Sequence, residues 1–347
     1  MTLINIVGEI MRKHTPSLYQ FFTRSIYRLK KTDSIYIIDY LGGSFKKYIS
    51  DNPMQDKLSK LLSGMDDYSE RTVRVVYERL LNYPEKSYNQ LINPEKNYII
   101  GGFLEEEKAY FNIKKVKKEN KFKINKRFIE SSIFQYYHGL ILLPKEVNQY
   151  LNGGDFIDIG AYVGESALAL KKYNYKKIYS IEMSKVSITR YLKTMKKNNI
   201  GDDKFELINY AIAKEEGLPP IIFADSGSAG LSVKRENPTK DTEIQIQQKT
   251  LDGIVRSYNI KPVFIKLDVE GSGMDCVLGG LQTIKTFRPI LSIAIYHNPI
   301  EFFEIKPLLE SELANYTFII RKISNTIKDN FCHAETVLLA YPNEIKI

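Results

Sequence analysis

The chain has no tryptophan, two cysteines and four histidines in 347 residues. Two cysteines, Cys276 and Cys332, give neither a disulfide framework nor the paired spacing of a structural zinc site. They fit a reducing compartment, so a cytoplasmic location is expected. No apolar run approaches the roughly 18–20 residues that a membrane-spanning helix needs. Residues 1–16 place Glu9 inside their apolar stretch and lack a small-residue cleavage pattern, so no signal peptide is expected. Zinc-finger, basic-zipper and RNP aromatic motifs are also missing, which argues against nucleic acid as a partner. With so few histidines, proton transfer or metal ligation by imidazole is confined to His14, His138, His297 and His333.

What is present is a globular composition, 43% hydrophobic and 26% charged. The length suits one full α/β domain and a smaller region. The net charge of +9 is mostly lysine. It reads either as a solvated surface or as affinity for an anionic partner, such as a nucleotide-linked substrate, an acidic glycan or a lipid surface.

Residues 1–31 have apolar positions at helical spacing (Ile6, Ile10, Met11, Leu18, Phe21, Phe22, Ile26) between arginines and lysines, and Pro16 divides them into two helices. A basic amphipathic helix can touch a membrane peripherally; the plainer reading packs its apolar face on its own domain. Residues 34–40 are strand-like and stop at Gly42-Gly43. Helices are expected over 54–62 and over 70–83, the second capped within 67–69. Residues 108–127 are the most basic stretch and read as a solvated loop or hairpin. From residue 128 onward, strand-like and helical runs alternate: strands at 156–159, 177–182, 205–211, 221–224, 262–267, 289–295, 317–321 and 336–340, helices at 145–151, 187–198, 273–285 and 301–312. Alternation of this kind predicts a doubly wound α/β sheet closed by an antiparallel C-terminal hairpin. The expected division is a mainly helical N-terminal region over 1–128, ending in the basic linker, and an α/β domain over 129–347.

The most informative stretch is FIDIGAYVGES, residues 156–166. A buried strand ends at Asp158, Gly160 and Gly164 make a turn, and a helix follows, which are the parts of a nucleotide-binding βα unit. A dinucleotide site would want a glycine at the position of Tyr162, and a phosphate-binding loop would want a lysine where Glu165 stands. Acids beside the turn instead suit S-adenosylmethionine, which has no phosphate and carries a sulfonium and an ammonium. Glu182 ends the next strand 24 residues after Asp158, where a carboxylate can accept both ribose hydroxyls.

FIDIGAYVGESAL, YSIEMS, TLD (250–252) and FIKLDVEGSGMDCVLGG (264–280) together resemble the FkbM family of S-adenosylmethionine-dependent methyltransferases, over roughly residues 133–341. The resemblance implies a class I methyltransferase (Rossmann-like) fold and a hydroxyl acceptor, often on a sugar or polyketide. The family's usual proline two residues after the second-strand acid is Ser184 here, and its common asparagine in the glycine loop is Tyr162.

The expected cofactor-binding set is Asp158, Gly160, Ala161, Tyr162, Gly164, Ser166, Glu182, Met183 and Ala211. Asp268 ends the fourth strand, Glu270 follows in the turn, and His297 ends the fifth strand, so the three are expected at adjacent strand tips as an acceptor-side base site. There His297 would take the proton while a carboxylate orients it. The same three residues could instead hold a divalent metal. Lys266 shares a face with Asp268 and is expected to pair with an acid. His138 either lines the acceptor pocket or is satisfied in the core. The loop over 225–232 could close over the site. The expected reaction is O-methylation of a sugar hydroxyl in a surface glycan or its precursor. N-methylation, a small-metabolite acceptor, a non-catalytic cofactor-binding assembly module and a homo-oligomer stay open at this stage.

Overall fold

A computed structural model describes residues 35–37, 41–81, 90–92, 116, 118, 121–225, 243–323 and 334–345. The helices expected over 1–31, the loop over 226–232, His14, His333 and most of the basic segment lie outside the described residues. A short strand, Ile35–Ile37, pairs antiparallel with Gln90–Ile92, and between them come three helices: α1 (Gly42–Asp51), α2 (Met54–Leu62) and α3 (Asp67–Leu81). A seven-stranded sheet follows: β1 (Asp155–Ile159), β2 (Lys177–Ile181), β3 (Phe205–Ile208), β4 (Pro262–Leu267), β5 (Ile290–Ala294), β6 (Tyr316–Lys322) and β7 (Thr336–Pro342). Its helices are α4 (Glu165–Leu170), α5 (Lys185–Lys197), α6 (Leu251–Tyr258), α7 (Gly273–Leu278), α8 (Leu281–Phe287) and α9 (Pro299–Glu312).

The spatial order is β6-β7-β5-β4-β1-β2-β3. Strands β1 to β5 pair in parallel with one another, and β7 runs antiparallel to both β5 and β6. The α/β class and the antiparallel closing pair are therefore as the alternation predicts. All five residues of β1 and of β5 are buried, as expected of central parallel strands covered on both faces. Ile157, Ile159, Ile265 and Leu267 face a core with Leu251, Ile254, Phe302 and Phe303. Phe156 and Phe264 face the opposite core, with Leu168, Tyr191, Phe134 and Leu140. Chain direction across the sheet reverses between β1 and β4, which opens a crevice at their C-terminal ends.

Helices α1–α3 share the first of these cores. Phe45 and Tyr77 meet Phe303 with rings 6.4 and 6.5 Å apart, and Tyr48 stacks on it at 5.5 Å. Lys306 of α9 is buried and caps the end of α2, donating to Ser63 O (2.5 Å) and Lys60 O (3.3 Å); a cation there meets the negative end of the helix dipole. Ser69 of α3 exchanges hydrogen bonds with the Ile320 backbone of edge strand β6.

Three local expectations change. The strand expected over 34–40 is present as Ile35–Ile37, and Gly42-Gly43 opens α1, where glycine is tolerated in the first helical turn. The helix expected over 273–285 is two, α7 and α8, broken at Gly279-Gly280. There a Cβ on Gly279 would lie 2.1 Å from Ala213 O. Short strands at Glu243–Ile246 and Gln248–Lys249 and helix α6 are additional to the expected elements, although Leu251, Ile254, Val255 and Tyr258 stand at helical spacing in α6. Among the described residues no helix is long and apolar enough to cross a membrane.

Candidate active site

The crevice is a cleft open to solvent, walled by residues of the glycine turn, β4, β5 and β7. The glycine turn forms one side. Gly160 and Gly164 adopt φ of +80° and +85°, and a Cβ on Gly160 would sit 1.9 Å from Asp268 O. The turn thus lies directly on the tip of β4, and only glycine fits. Tyr162, between them, has φ +45°, a region where asparagine is far more at ease than tyrosine. Its N–H donates to Glu182 Oε2 at 2.9 Å, and its ring meets Phe128 edge-on at 5.5 Å.

The three acids at strand ends have different surroundings. Asp158 is fully buried and lies below the cleft. Its cross-strand partner in the β1–β4 ladder is Lys266, whose ammonium lies 3.0 Å from Asp158 Oδ1 and donates to Gly160 O at 2.8 Å. Burial pushes the Asp158 carboxyl above its usual range against the pull of Lys266. Burial would lower the Lys266 pKa, but the carboxylates of Asp158 and Asp268 hold it above its ordinary value.

Glu182, half-buried, accepts from Tyr162 N and from Ser184 N (2.8 Å). Burial raises its pKa to about 7. Beside it Met183 packs with Ala211, Phe223 and Ile246 in a small apolar slot, and Asn209 ties down the carbonyls of Glu182 and Met183. Ser184 explains the absence of the family's proline: its Oγ caps α5 by accepting from Ser187 N (3.0 Å) and donates to Asp225 Oδ1.

Asp268 and Glu270 line the cleft, and His297 is buried behind them. Imidazole Nε2 lies 3.3 Å from Asp268 Oδ1 and 3.7 Å from Glu270 Oε1; Nδ1 lies 3.3 Å from Glu301 Oε2. Burial would lower the His297 pKa, but Asp268 and Glu301 drive it well above the usual value. Burial would raise that of Asp268, but His297 and Lys266 hold it well below the carboxylate range. Glu270 is presented from a left-handed turn (φ +52°) followed by Gly271 at +104°. Asn298 fixes that turn by donating to Gly271 O (3.0 Å) while capping α9 through Glu301 N (2.9 Å).

Of the expected residues, Gly160, Tyr162, Ser166, Asp268 and Glu270 share the cleft wall. Glu182 joins them through Tyr162 N. Ala161 and Gly164 shape the turn, Met183 and Ala211 lie beyond Glu182, and Asp158 faces Lys266 away from the cleft. His138 lines the wall; its Nε2 bonds Ser166 Oγ at 2.9 Å, and burial lowers its pKa to about 3. The TLD stretch has structural work: Thr250 caps α6, and Asp252 accepts from the first N–H groups of α8.

Sequence reading did not find Glu301, although HNPIE (297–301) carries its signal: a capping Asn298 with an acid three residues later. It also missed Glu130, Ser292, Tyr296 and Glu335 on the cleft wall. Ser292, Tyr296 and Glu335 are brought there by β5, β7 and their flanks, and Glu130 by the start of the short helix Ser131–Phe134; no local motif marks them.

Residues 158–324 match the methyltransferase FkbM domain family. The chain carries an FkbM-family methyltransferase domain. The matched span runs from Asp158 to just beyond β6 and contains the glycine turn, Glu182, Asp268 and His297. Among solved structures, methyltransferase FkbM from Methylobacillus flagellatus KT is 16% identical with a TM-score of 0.55, covering 86% of this chain and 61% of that one. At that identity the likeness speaks for the fold, and the chain spans 61% of that protein's length. An O-methyltransferase from Bacillus cereus, solved in complex with SAH, is 12% identical with a TM-score of 0.39, covering 67% of this chain and 92% of that one. No curated protein matches the chain.

Proposed function

We propose that this domain transfers a methyl group from S-adenosylmethionine to a hydroxyl oxygen, with a sugar of a surface glycan or its precursor as acceptor. The observation that carries the reading is the character of the cleft wall. Glu130, Asp268, Glu270 and Glu335 line it together with Glu165, which burial holds mostly neutral, and among the described lining residues the one lysine, Lys266, is paired with Asp158. A wall of that sign suits a sulfonium and an ammonium and disfavours phosphates. Glu165 stands at the start of α4 and accepts from Val163 N (3.1 Å). Burial raises its pKa to about 8.

The residues fit the cofactor in parts. The glycine turn admits close approach, Glu182 offers its remaining lone pairs to a ribose diol, and Met183 with Ala211 offers an apolar slot for a base. When bound, the cofactor supplies an activated methyl group. The protein's share is to hold the acceptor oxygen on the methyl axis, an effect of roughly 7–11 kcal/mol when orientation is good. The hydroxyl proton leaves toward the carboxylates of Asp268 and Glu270 on the cleft wall, with the protonated His297 behind them, and a base placed there contributes roughly 10²–10⁴-fold. Serines, acids and the aromatic rings of Phe128, Tyr162 and Tyr296 on the wall support a sugar acceptor. Calorimetric titration with S-adenosylhomocysteine, followed by transfer of labelled methyl groups to sugar acceptors, tests the reading. A chain that binds a pyrophosphate cofactor in place of adenosylhomocysteine would overturn it.

A further inference from the structure

We propose that Asp268, Glu270 and His297 form a divalent-cation site at the acceptor end of the cleft, with Mn²⁺ as the representative ion. One ligand atom from each lies within 4.8 Å of the other two. Nε2 is 3.3 Å from Asp268 Oδ1 and 3.7 Å from Glu270 Oε1. Donors about 2.1 Å from a shared ion lie about 3.0 Å apart at right angles and about 3.4 Å apart in a tetrahedron. The two spacings from Nε2 are close to these values, and the carboxylate pair, within 4.8 Å, closes onto the ion on binding.

A second observation points the same way. His297 is only 7% exposed, yet its Nε2 makes no geometrically sound hydrogen bond, and neither does Asp268 Oδ1. Leaving such atoms unpaired in a buried place is costly, and a ligand between them removes the cost. Behind the ring, Glu301 is 1% exposed, held by Gly273 N (2.7 Å), and faces Nδ1 at 3.3 Å. A carboxylate behind one imidazole nitrogen fixes the proton there and frees the other lone pair for a metal. Charge argues likewise: three carboxylates surround one imidazole, and a divalent ion offsets more of that charge than a proton does.

One nitrogen and two carboxylate oxygens suit Mn²⁺ better than a soft-ligand metal. Asp268 and Glu270 face the cleft, so further coordination positions open toward the acceptor, as in catalytic metal sites. There the ion would hold the acceptor hydroxyl and lower its pKa, taking the place of a carboxylate base in the metal-loaded protein. The O–H proton passes to solvent water, the oxygen forms the new bond to the methyl carbon, and the carbon–sulfur bond breaks with its electron pair staying on sulfur. This role rests on the methyl-transfer reading, whereas cation binding does not.

The test uses the full chain, freed of metal by EDTA and dialysed, with MnCl₂ titrated and free Mn²⁺ followed by electron paramagnetic resonance. One ion per chain is expected. Glu270→Gln should weaken it at least tenfold, and Glu301→Gln, which disturbs the ring behind the ligand, roughly 10–100-fold. Circular dichroism checks folding. Glu270 is partly exposed, so its variant remains informative if the buried Glu301→Gln does not fold. Adenosylhomocysteine binding is measured on the same wild-type sample. A chain that binds adenosylhomocysteine but retains no Mn²⁺, or variants with undiminished Mn²⁺ affinity, overturns the cation site. Mn²⁺ binding without adenosylhomocysteine binding sustains the site and removes the methyl-transfer reading instead.

Discussion

Asp158 and Asp268 are the same residue type at the C-terminal ends of neighbouring parallel strands, and Lys266 influences both. Their environments differ. The Asp158 side chain is 0% exposed and that of Asp268 35%. Burial drives the first toward its neutral form, while a histidine and a lysine keep the second ionised. An acid at a strand tip is therefore not by that fact a ligand. The tip of β1 turns its carboxylate into the sheet to hold the glycine turn through Lys266, and the tip of β4 turns its carboxylate to the cleft.

The largest expected effect lies on the buried side of this contrast. Lys266→Met leaves the Asp158 carboxylate without its partner and should cost about 3–5 kcal/mol in urea unfolding. Adding Asp158→Leu should recover most of that loss. Equal losses in the single and double variants would break the contrast, because Asp158 would then not depend on Lys266. On the open side, Asp268→Asn should lower turnover by roughly 10²–10⁴-fold while moving Tm by less than about 4 °C. A large Tm drop with turnover retained would make Asp268 another structural acid.

Glu182 is intermediate between them and sharpens the comparison. Glu182→Gln should weaken cofactor binding roughly 10–100-fold, the worth of charge-assisted hydrogen bonds. Its carboxyl titrates at about 7 and accepts ribose hydroxyls best when ionised. Wild-type affinity should therefore rise from pH 6 to pH 8 and level off above, and the variant should lack that rise. The smallest effect is expected at Thr250→Ala, which removes a helix cap worth about 1 kcal/mol and should leave cofactor affinity unchanged. A clear loss of cofactor binding there would give the TLD stretch a part in the site.

Much of the sheet was legible because a parallel strand buried on both faces is written as a short apolar run. PVFIKL has the boundaries that its sequence suggests. The tightness at Gly279-Gly280 was not legible, since the carbonyl that leaves no room for a Cβ at Gly279 belongs to Ala213, just past the short strand Ala211–Ile212. The same holds for the site. Asp268, Glu270 and His297 are brought together as strand-end logic requires, with ligand atoms within 4.8 Å. That Asp158 faces inward depends on which residue stands opposite it in the ladder. Tyr162 shows the limit most clearly: its spacing marks a turn residue, but only the backbone reveals that it carries a left-handed φ beside Glu182.

Helix α9 has two loyalties. Its opening turn, through Asn298 and Glu301, sets the orientation of His297. Its flank, through Phe302, Phe303 and Lys306, is clasped by the helices that precede the methyltransferase fold. A version of the protein trimmed to start near residue 128 would bare those aromatic rings and slacken the beam from which the imidazole hangs. The leading helices are thus a keel for the chemistry at the opposite end of α9, and damage to them would register first as a misaligned acceptor.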